Sequence, residues 1–506
     1  MDNNSSRTKK TIVNAAATIF NRTCFTLLNF GLRSVFIFTL GIQYAGVSSV
    51  FSDILTMLSL SELGIGAAIA TALYVPLKEK DEEKIRKLML FYKQAYRVIA
   101  VAIFLIGLML LPILDKLIKD VPDISESLHV IFIFYILKTS LSYLLIYKTT
   151  LLNADQKQYK VKGIETACLI VRYIIEAICL VIFKQFLLYL VIEVVATVIQ
   201  NIIVTRRADK EYPYAFVKSE EKLSKTETKK LFKDIKALTM YRVSATVGNS
   251  IDTILVSSVI STTIVGLLSN YTLIRKQIEV LVKQVFTSLT PSVGNLVAEG
   301  DSNKQFKVFN KVFYMSFVFV NCCAVCLFVL FNPFIELWLG KEYLLSLDIA
   351  FIIAFDFFLY ILLQAIASFR TANGLFVKGQ YRPIATAIIN LILSIIFIKK
   401  YGIFGTFLAT VISRLVTQWY DPYILHKYTY KASFQKFYLR YIMYIMIFVS
   451  DCILTYYIAK QFVFESIFLT LVCRLICCMI IPNLWVILWT FYLTEFKDTI
   501  KTFKRK

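Results

Sequence analysis

The chain repeats itself. Arg22, Asn29, Gly46, Glu79, Asp81, Lys84, Lys87 and Asn153 recur, at a constant offset of 220 residues, as Arg242, Asn249, Gly266, Glu299, Asp301, Lys304, Lys307 and Asn373. Apolar matches would mean little in a chain this rich in Leu and Ile. A Glu-x-Asp-x-x-Lys-x-x-Lys motif followed by an apolar run of membrane length does not readily occur twice. The fold must therefore hold two related halves. Of 506 residues, 58% are hydrophobic, and many gather in runs of about 20, the length that crosses hydrocarbon as a helix. An ordinary soluble globule is excluded. A membrane barrel would show alternating segments of about 10 residues, which this sequence lacks, and helices are the remaining way to satisfy the backbone in lipid. The expected fold class is all-α and polytopic.

The net charge of +22 could suggest nucleic acid, but the basic residues are spread over short connections and form no patch. Topology explains them. With the N-terminus inside, alternate connections hold about 39 Lys and Arg inside against about 7 outside, the positive-inside asymmetry. Both termini are thus expected on the cytoplasmic side. The first apolar segment carries Asn14, Asn21, Arg22, Asn29 and Arg33, unlike a cleavable leader, and is expected to be the first membrane helix. All ten cysteines fall in apolar segments. Cys322-Cys323-x-x-Cys326 has no His, Asp or Glu nearby in sequence to complete a metal site, so packing as small hydrophobes is the expectation, with no metal and no cofactor.

Membrane helices are expected near 12–40, 49–74, 95–114, 128–151, 164–183 and 186–205, then 237–260, 263–298, 308–331, 345–369, 384–400 and 402–425. Two more, near 438–459 and 463–492, bring the total to about 14. The organisation is an N-terminal six-helix lobe (1–205), a cytoplasmic linker (206–236) with a short amphipathic helix at Thr226–Leu238, a second six-helix lobe (237–425), and two extra helices with a basic tail (426–506). Both lobes have an even number of helices in the same order, so they are parallel repeats about an axis along the membrane normal. Many secondary transporters are built this way, with a central cavity.

An ionisable side chain at membrane depth normally faces a partner or a wet cavity. Asn14, Thr18, Arg22, Asn29 and Arg33 fall on one stripe of the first helix, and Arg242, Thr246, Asn249 and Asp252 on one face of the seventh. The eighth carries a heptad row, Asn270, Gln277 and Gln284, beside Tyr271 and an i,i+4 ladder of Arg275, Glu279 and Lys283 that could neutralise itself. Arg22 and Arg242 lie near enough to the interface to snorkel, whereas Arg33 and Arg275 are expected in the cavity. Lys138, Arg172, Arg414 and Arg474 could equally pair with neighbouring helices. Glu62, Glu176, Glu193, Asp252 and Asp356 are candidate sites for H⁺ or Na⁺, or structural partners of a cation.

Arg33, then Leu40-Gly41-Ile42-Gln43-Tyr44-Ala45-Gly46, Leu58-Ser59-Leu60-Ser61-Glu62-Leu63-Gly64-Ile65-Gly66, Leu73-Tyr74-Val75-Pro76-Leu77 and Asp81 with its basic followers resemble the Wzx-type polysaccharide-biosynthesis (O-antigen, capsule) flippases. Their superfamily also holds the MATE exporters and lipid II flippases. The resemblance implies translocation of an undecaprenyl-pyrophosphate-linked glycan across the bacterial cytoplasmic membrane by alternating access, with membrane lipids and an ion gradient as partners and association with polysaccharide polymerase machinery. Guanidinium forks suit a pyrophosphate, so Arg22, Asn29, Arg33, Arg242, Asn249, Asn270, Tyr271, Arg275, Gln277 and Gln284 are the candidate substrate contacts. Glu62, Glu176, Asp252 and Asp356 are the coupling candidates. A MATE-type drug exporter is the alternative, but an Arg- and Lys-rich cavity repels cations. A membrane glycosyltransferase or polymerase would need a catalytic domain or motif. Only His129 and His426 are present as histidines, and no phosphate loop or metal-ligand spacing occurs, so no enzyme is expected.

Overall fold

The computed structural model describes residues 2–59, 65–120, 122–217, 223–375 and 377–504, without the side chains at 2–12, 15, 67, 145, 230, 234, 236–238, 240–249, 291, 377 and 502–504. The described residues contain helices and no strand. Nine helices or joined helices among them are long and apolar enough to cross a membrane, and Leu128–Leu144 with Ile146–Ala154, bent by 44°, makes a tenth. The chain is a multi-pass, all-α membrane protein. By packing it divides into two compact units, Met1–Gly266 and Leu267–Lys506.

The first unit holds α1 (Asp2–Leu40), α2 (Ile42–Leu58), α3 (Ile65–Glu79), α4 (Glu82–Leu110), the single turn α5 (Leu114–Leu117), α6 (Leu128–Ala154), α7 (Gln158–Phe183), α8 (Phe186–Glu211), α9 (Lys225–Val259) and the start of α10 (Thr262–Ala298). α1 lies along α7, and α6 lies between α4 and α8. Its core includes the tyrosines Tyr92, Tyr96, Tyr143 and Tyr147, with Tyr92 donating to Tyr96 at 3.0 Å. Such buried hydroxyls need partners, and Tyr92 also pairs with the Thr150 hydroxyl at 3.0 Å. In the α6–α7 connection, burial opposes the Lys157 ammonium, but Asp155, Tyr212 and Glu211 outweigh it and hold its pKa above the usual lysine value.

Two segments differ from expectation. The second helix, read as 49–74, is two helices, α2 and α3, on either side of residues outside the described ones. The short amphipathic helix at Thr226–Leu238 is the first part of α9, which runs unbroken from Lys225. Nothing between them is Pro, and Ser224 and Glu227 form a capping box that starts the helix there. α9 is tied into the first unit at its far end, where Lys119 donates its backbone N–H to the Ser257 carbonyl at 3.1 Å and its Nζ to that of Val259 at 2.7 Å. Repeat symmetry counts this helix with the second half, whereas packing groups it with the first.

The second unit holds the rest of α10, then α11 (Ser302–Trp338), α12 (Leu347–Leu362), α13 (Gln364–Ala372), α14 (Arg382–Thr417), α15 (Tyr420–Leu425), α16 (Phe434–Ala459), α17 (Ile467–Thr490) and α18 (Thr494–Lys504). α11 is apolar on nearly every face, as suits a central helix, and packs against α12, α16 and α17. Stacked rings fill the gap: Phe317 on Tyr444 at 3.9 Å and Phe358 on Phe448 at 4.3 Å. The break expected between 400 and 402 occurs at Gly402, whose φ of +58° with ψ of −137° suits only a residue without Cβ.

The repeated motif has a local cause. Asp81 accepts from Lys84 N at 2.9 Å and Asp301 from Lys304 N at 3.0 Å, so both copies are helix N-caps. Each is preceded by a left-handed residue, Lys80 (φ +58°) and Gly300 (φ +75°).

Candidate functional site

Each unit gathers charged side chains from several membrane-depth helices. In the first, Lys138 of α6 donates to Glu193 of α8 at 2.9 Å, and Arg172 lies 3.3 Å from the wholly buried Glu176 one turn along α7. Lys138 and Glu193 lie within electrostatic reach of Glu176. Arg33 of α1 joins through the phenol dipoles of Tyr135 and Tyr189, and Tyr135 also feels Glu193. Two cations thus meet two carboxylates, and Arg33 stands beside the tyrosines that flank them.

The second unit makes a similar arrangement from other positions. Asp356 of α12 lies between two guanidinium groups, 2.5 Å from Arg275 Nη2 of α10 and 2.6 Å from Arg414 Nε of α14. The expected ladder on α10 forms, with Arg275 to Glu279 at 3.9 Å and Lys283 to Glu279 at 2.7 Å. Tyr360 seals it: Lys283 donates to its hydroxyl at 2.6 Å, and Arg414 stacks 4.3 Å from its ring centre. Here three cations meet two acids, so this cluster keeps one positive charge in excess. Isolated charges could not be held at this depth, whereas paired ones can, and the excess favours an anion.

The other expected residues are placed differently. The α1 stripe does not act as one face. Asn14 donates to the Gln156 carbonyl at 2.9 Å and accepts from Tyr159 N at 2.8 Å, satisfying the first turn of α7, and Thr18 donates back to Asn14 O. Arg22 is half-buried with its guanidinium over Phe25, and Asn29 is half-buried. Asn270 and Gln277 are buried, but Gln284 of the same heptad row is exposed. Tyr271, expected as a stacking surface for sugar, is fully buried. Its hydroxyl donates to Asn332 at 2.7 Å and accepts from Leu345 N at 2.8 Å, so it pins the loop before α12 and offers no ring face. Glu176 and Asp356, read as coupling candidates, are engaged by arginine, and Asp252 is half-buried on α9. Glu62 lies outside the described residues, and Arg242 and Asn249 outside the described side chains.

The sequence leaves Lys138, Arg172 and Arg414 open between the cavity and a partner on a neighbouring helix, and in the structure all three are paired. Their partners sit 55, 4 and 58 positions away, and only the i,i+4 pair on α7 was visible in the spacing. Arg474 donates to the Phe462 carbonyl at 3.3 Å. The cysteine group is packed: Cys322 and Cys326 both donate to the Cys478 carbonyl, at 3.7 and 3.8 Å.

Beside the second cluster runs an apolar groove of about 730 Å³, lined by α10, α11 and α17, with Ile274, Ile278, Phe319, Leu330, Leu475 and Met479 on its walls. Ile274 and Ile278 alternate with Arg275 and Glu279 along α10. One helix therefore faces an ionic cluster on one side and an apolar groove on the other.

The fold is that of a helical, multi-pass membrane protein. It is similar in structure to the lipid II flippase MurJ in an inward closed conformation, with a TM-score of 0.68 over 97% of this chain and 100% of that one at 16% identity. It is also similar to an inward-facing MATE family transporter of the MOP superfamily (0.56, 12% identity, 79% and 94% covered) and to the Vibrio cholerae MATE transporter VcmN (0.55, 14%, 84% and 99%). No protein-family profile and no curated protein matches the sequence. The chain shares its fold with these proteins.

Proposed function

We propose that the protein is a flippase that carries a polyprenyl-pyrophosphate-linked oligosaccharide, in bacteria the undecaprenyl-linked unit of a surface polysaccharide such as O-antigen or capsule, across the cytoplasmic membrane. The observation that carries this reading is the two-sided character of α10. A substrate with an anionic diphosphate head and a long hydrocarbon tail needs a cationic contact and an apolar channel side by side, and Arg275 and Lys283 stand next to Ile274 and Ile278. The structurally similar MurJ is a lipid II flippase, which supports the same substrate class. Alternating access coupled to H⁺ or Na⁺, cytoplasmic termini and association with a polymerase belong to this proposal.

The MATE-type exporter shares the fold but would take organic cations, which the positive excess of the second cluster disfavours. Reconstitution decides between them. Proteoliposomes should translocate a fluorescent polyprenyl-pyrophosphate oligosaccharide, and uptake of ethidium with no movement of the lipid would overturn the flippase reading.

A further inference from the structure

Five acids are buried among the described residues: Glu176, Asp356, Asp421, Asp451 and Glu495. Four of them are paired with cations. Glu176 has Arg172, Asp356 has Arg275 and Arg414, Asp421 has Arg370 at 2.5 Å and Arg382 at 3.1 Å, and Glu495 has Arg440 at 2.7 Å. Asp451 of α16 is different. Its Oδ2 accepts from Nδ2 of Asn321 on α11 at 2.6 Å, and its Oδ1 accepts from the Thr455 hydroxyl at 2.9 Å. All three residues are 0% exposed. An ionised carboxylate held at membrane depth by neutral donors alone carries a desolvation penalty of several kcal/mol that an ion pair would offset.

The neighbouring amide matters as much as the acid. Asn321 Oδ1 is buried and has no hydrogen-bond partner. Amide nitrogen and oxygen are nearly the same size, so a half-turn of the Asn321 side chain would bring Oδ1 to the place Nδ2 now occupies. There it could accept a hydrogen bond from a protonated Oδ2. Thr455 can donate to Oδ1 in either state. The same three residues therefore satisfy both the charged and the neutral carboxyl, and an arginine partner could satisfy only the charged one.

Access is short. Cys322, next to Asn321 on α11, lies within electrostatic reach of Asp451 and lines the apolar groove, where Asn483 of α17 donates to its sulfur at 3.9 Å. The titratable groups reaching the carboxyl are the thiols of Cys322 and of Cys452 on α16 itself. From α17, Trp485 donates to the adjacent Ser450 at 2.9 Å, and from α12 the rings of Phe351, Phe355 and Phe358 close on Phe448.

We propose that Asp451, with Asn321 and Thr455, is a reversible proton-binding site in the second unit. The step is simple: an O–H bond of hydronium breaks as its proton bonds to Oδ2, water is released, the carboxylate becomes neutral, and the Asn321 amide turns to accept. No other bond is broken and no co-reactant is needed. The site does not depend on which lipid the protein carries.

Infrared difference spectroscopy of the purified, lipid-embedded protein tests it. A titration from acid to alkaline pH should show a buried carboxylic acid band exchanging for carboxylate, and Asp451→Asn, which keeps the shape and both hydrogen-bond contacts, should remove that band. Thr455→Val deletes a donor that favours the ionised form, so it should move the midpoint to more alkaline pH and keep the band. Survival of the full signal in Asp451→Asn would overturn the site, as would a midpoint that Thr455→Val leaves in place. A transition that requires Na⁺ at fixed pH would replace the proton with a metal ion and equally overturn the proposal.

Discussion

Gly46 and Gly266, equivalent positions of the two sequence repeats, meet each other. A Cβ on Gly46 would lie 2.1 Å from the Thr262 carbonyl oxygen, and one on Gly266 would lie 2.4 Å from that of Ile42 and 3.2 Å from Gly46 N. The starts of α2 and α10 thus cross backbone to backbone, and each repeat supplies the glycine its counterpart needs. Close crossings of this kind are made by small residues in membranes because dispersion contacts, in place of water exclusion, drive association. Gly46→Ala or Gly266→Ala forces the backbones apart and should destabilise the protein by about 1–3 kcal/mol. Thermal unfolding in detergent, with Gly31→Ala as a control where nothing stands within reach of a new Cβ, checks this.

Asp356 keeps two guanidinium groups apart. Asp356→Asn leaves Arg275 and Arg414 facing each other without their shared anion, a loss of about 3–5 kcal/mol for a broken buried pair. Adding Arg414→Met should recover a large part of that loss, because it removes one of the uncompensated charges. If the double variant is no more stable than Asp356→Asn alone, the shared pairing is not what holds the cluster.

Lys283 is the most exposed cation of the second cluster, at 30% of its side chain. Lys283→Gln should therefore leave stability within about 1 kcal/mol, as for partly exposed pairs, while lowering lipid-pyrophosphate affinity roughly tenfold, the effect of losing one charge-assisted contact. Arg33→Ala and Arg275→Ala should abolish glycan export while the protein still inserts. Ligand-dependent melting and an export assay on membranes with equal protein levels read both effects.

Lys80 and Gly300 hold the same left-handed place in the two copies. A side chain there costs about 1 kcal/mol, so Lys80→Gly should stabilise the protein by about 0.5–1 kcal/mol and Gly300→Lys should destabilise it by a similar amount. Opposite signs in the two melting temperatures are the expected result.

The sequence by itself determined the helices, the repeat and two local devices: the break at Gly402 and the Arg275–Glu279–Lys283 ladder. Each follows from residues within a turn or two, where spacing and backbone preference dictate geometry. It could not show that Asn14 satisfies the start of α7, that Tyr271 is locked into a loop, or that α2 and α3 are separate. Only the tertiary structure decided which charges pair, because Lys138 with Glu193, Arg414 with Asp356 and Asn321 with Asp451 lie on different helices. In lipid nearly every helix face is apolar, so the pattern that reveals an inward face in a soluble protein is weak. The partner of a membrane-depth charge is set by which helices touch, and that information is not local.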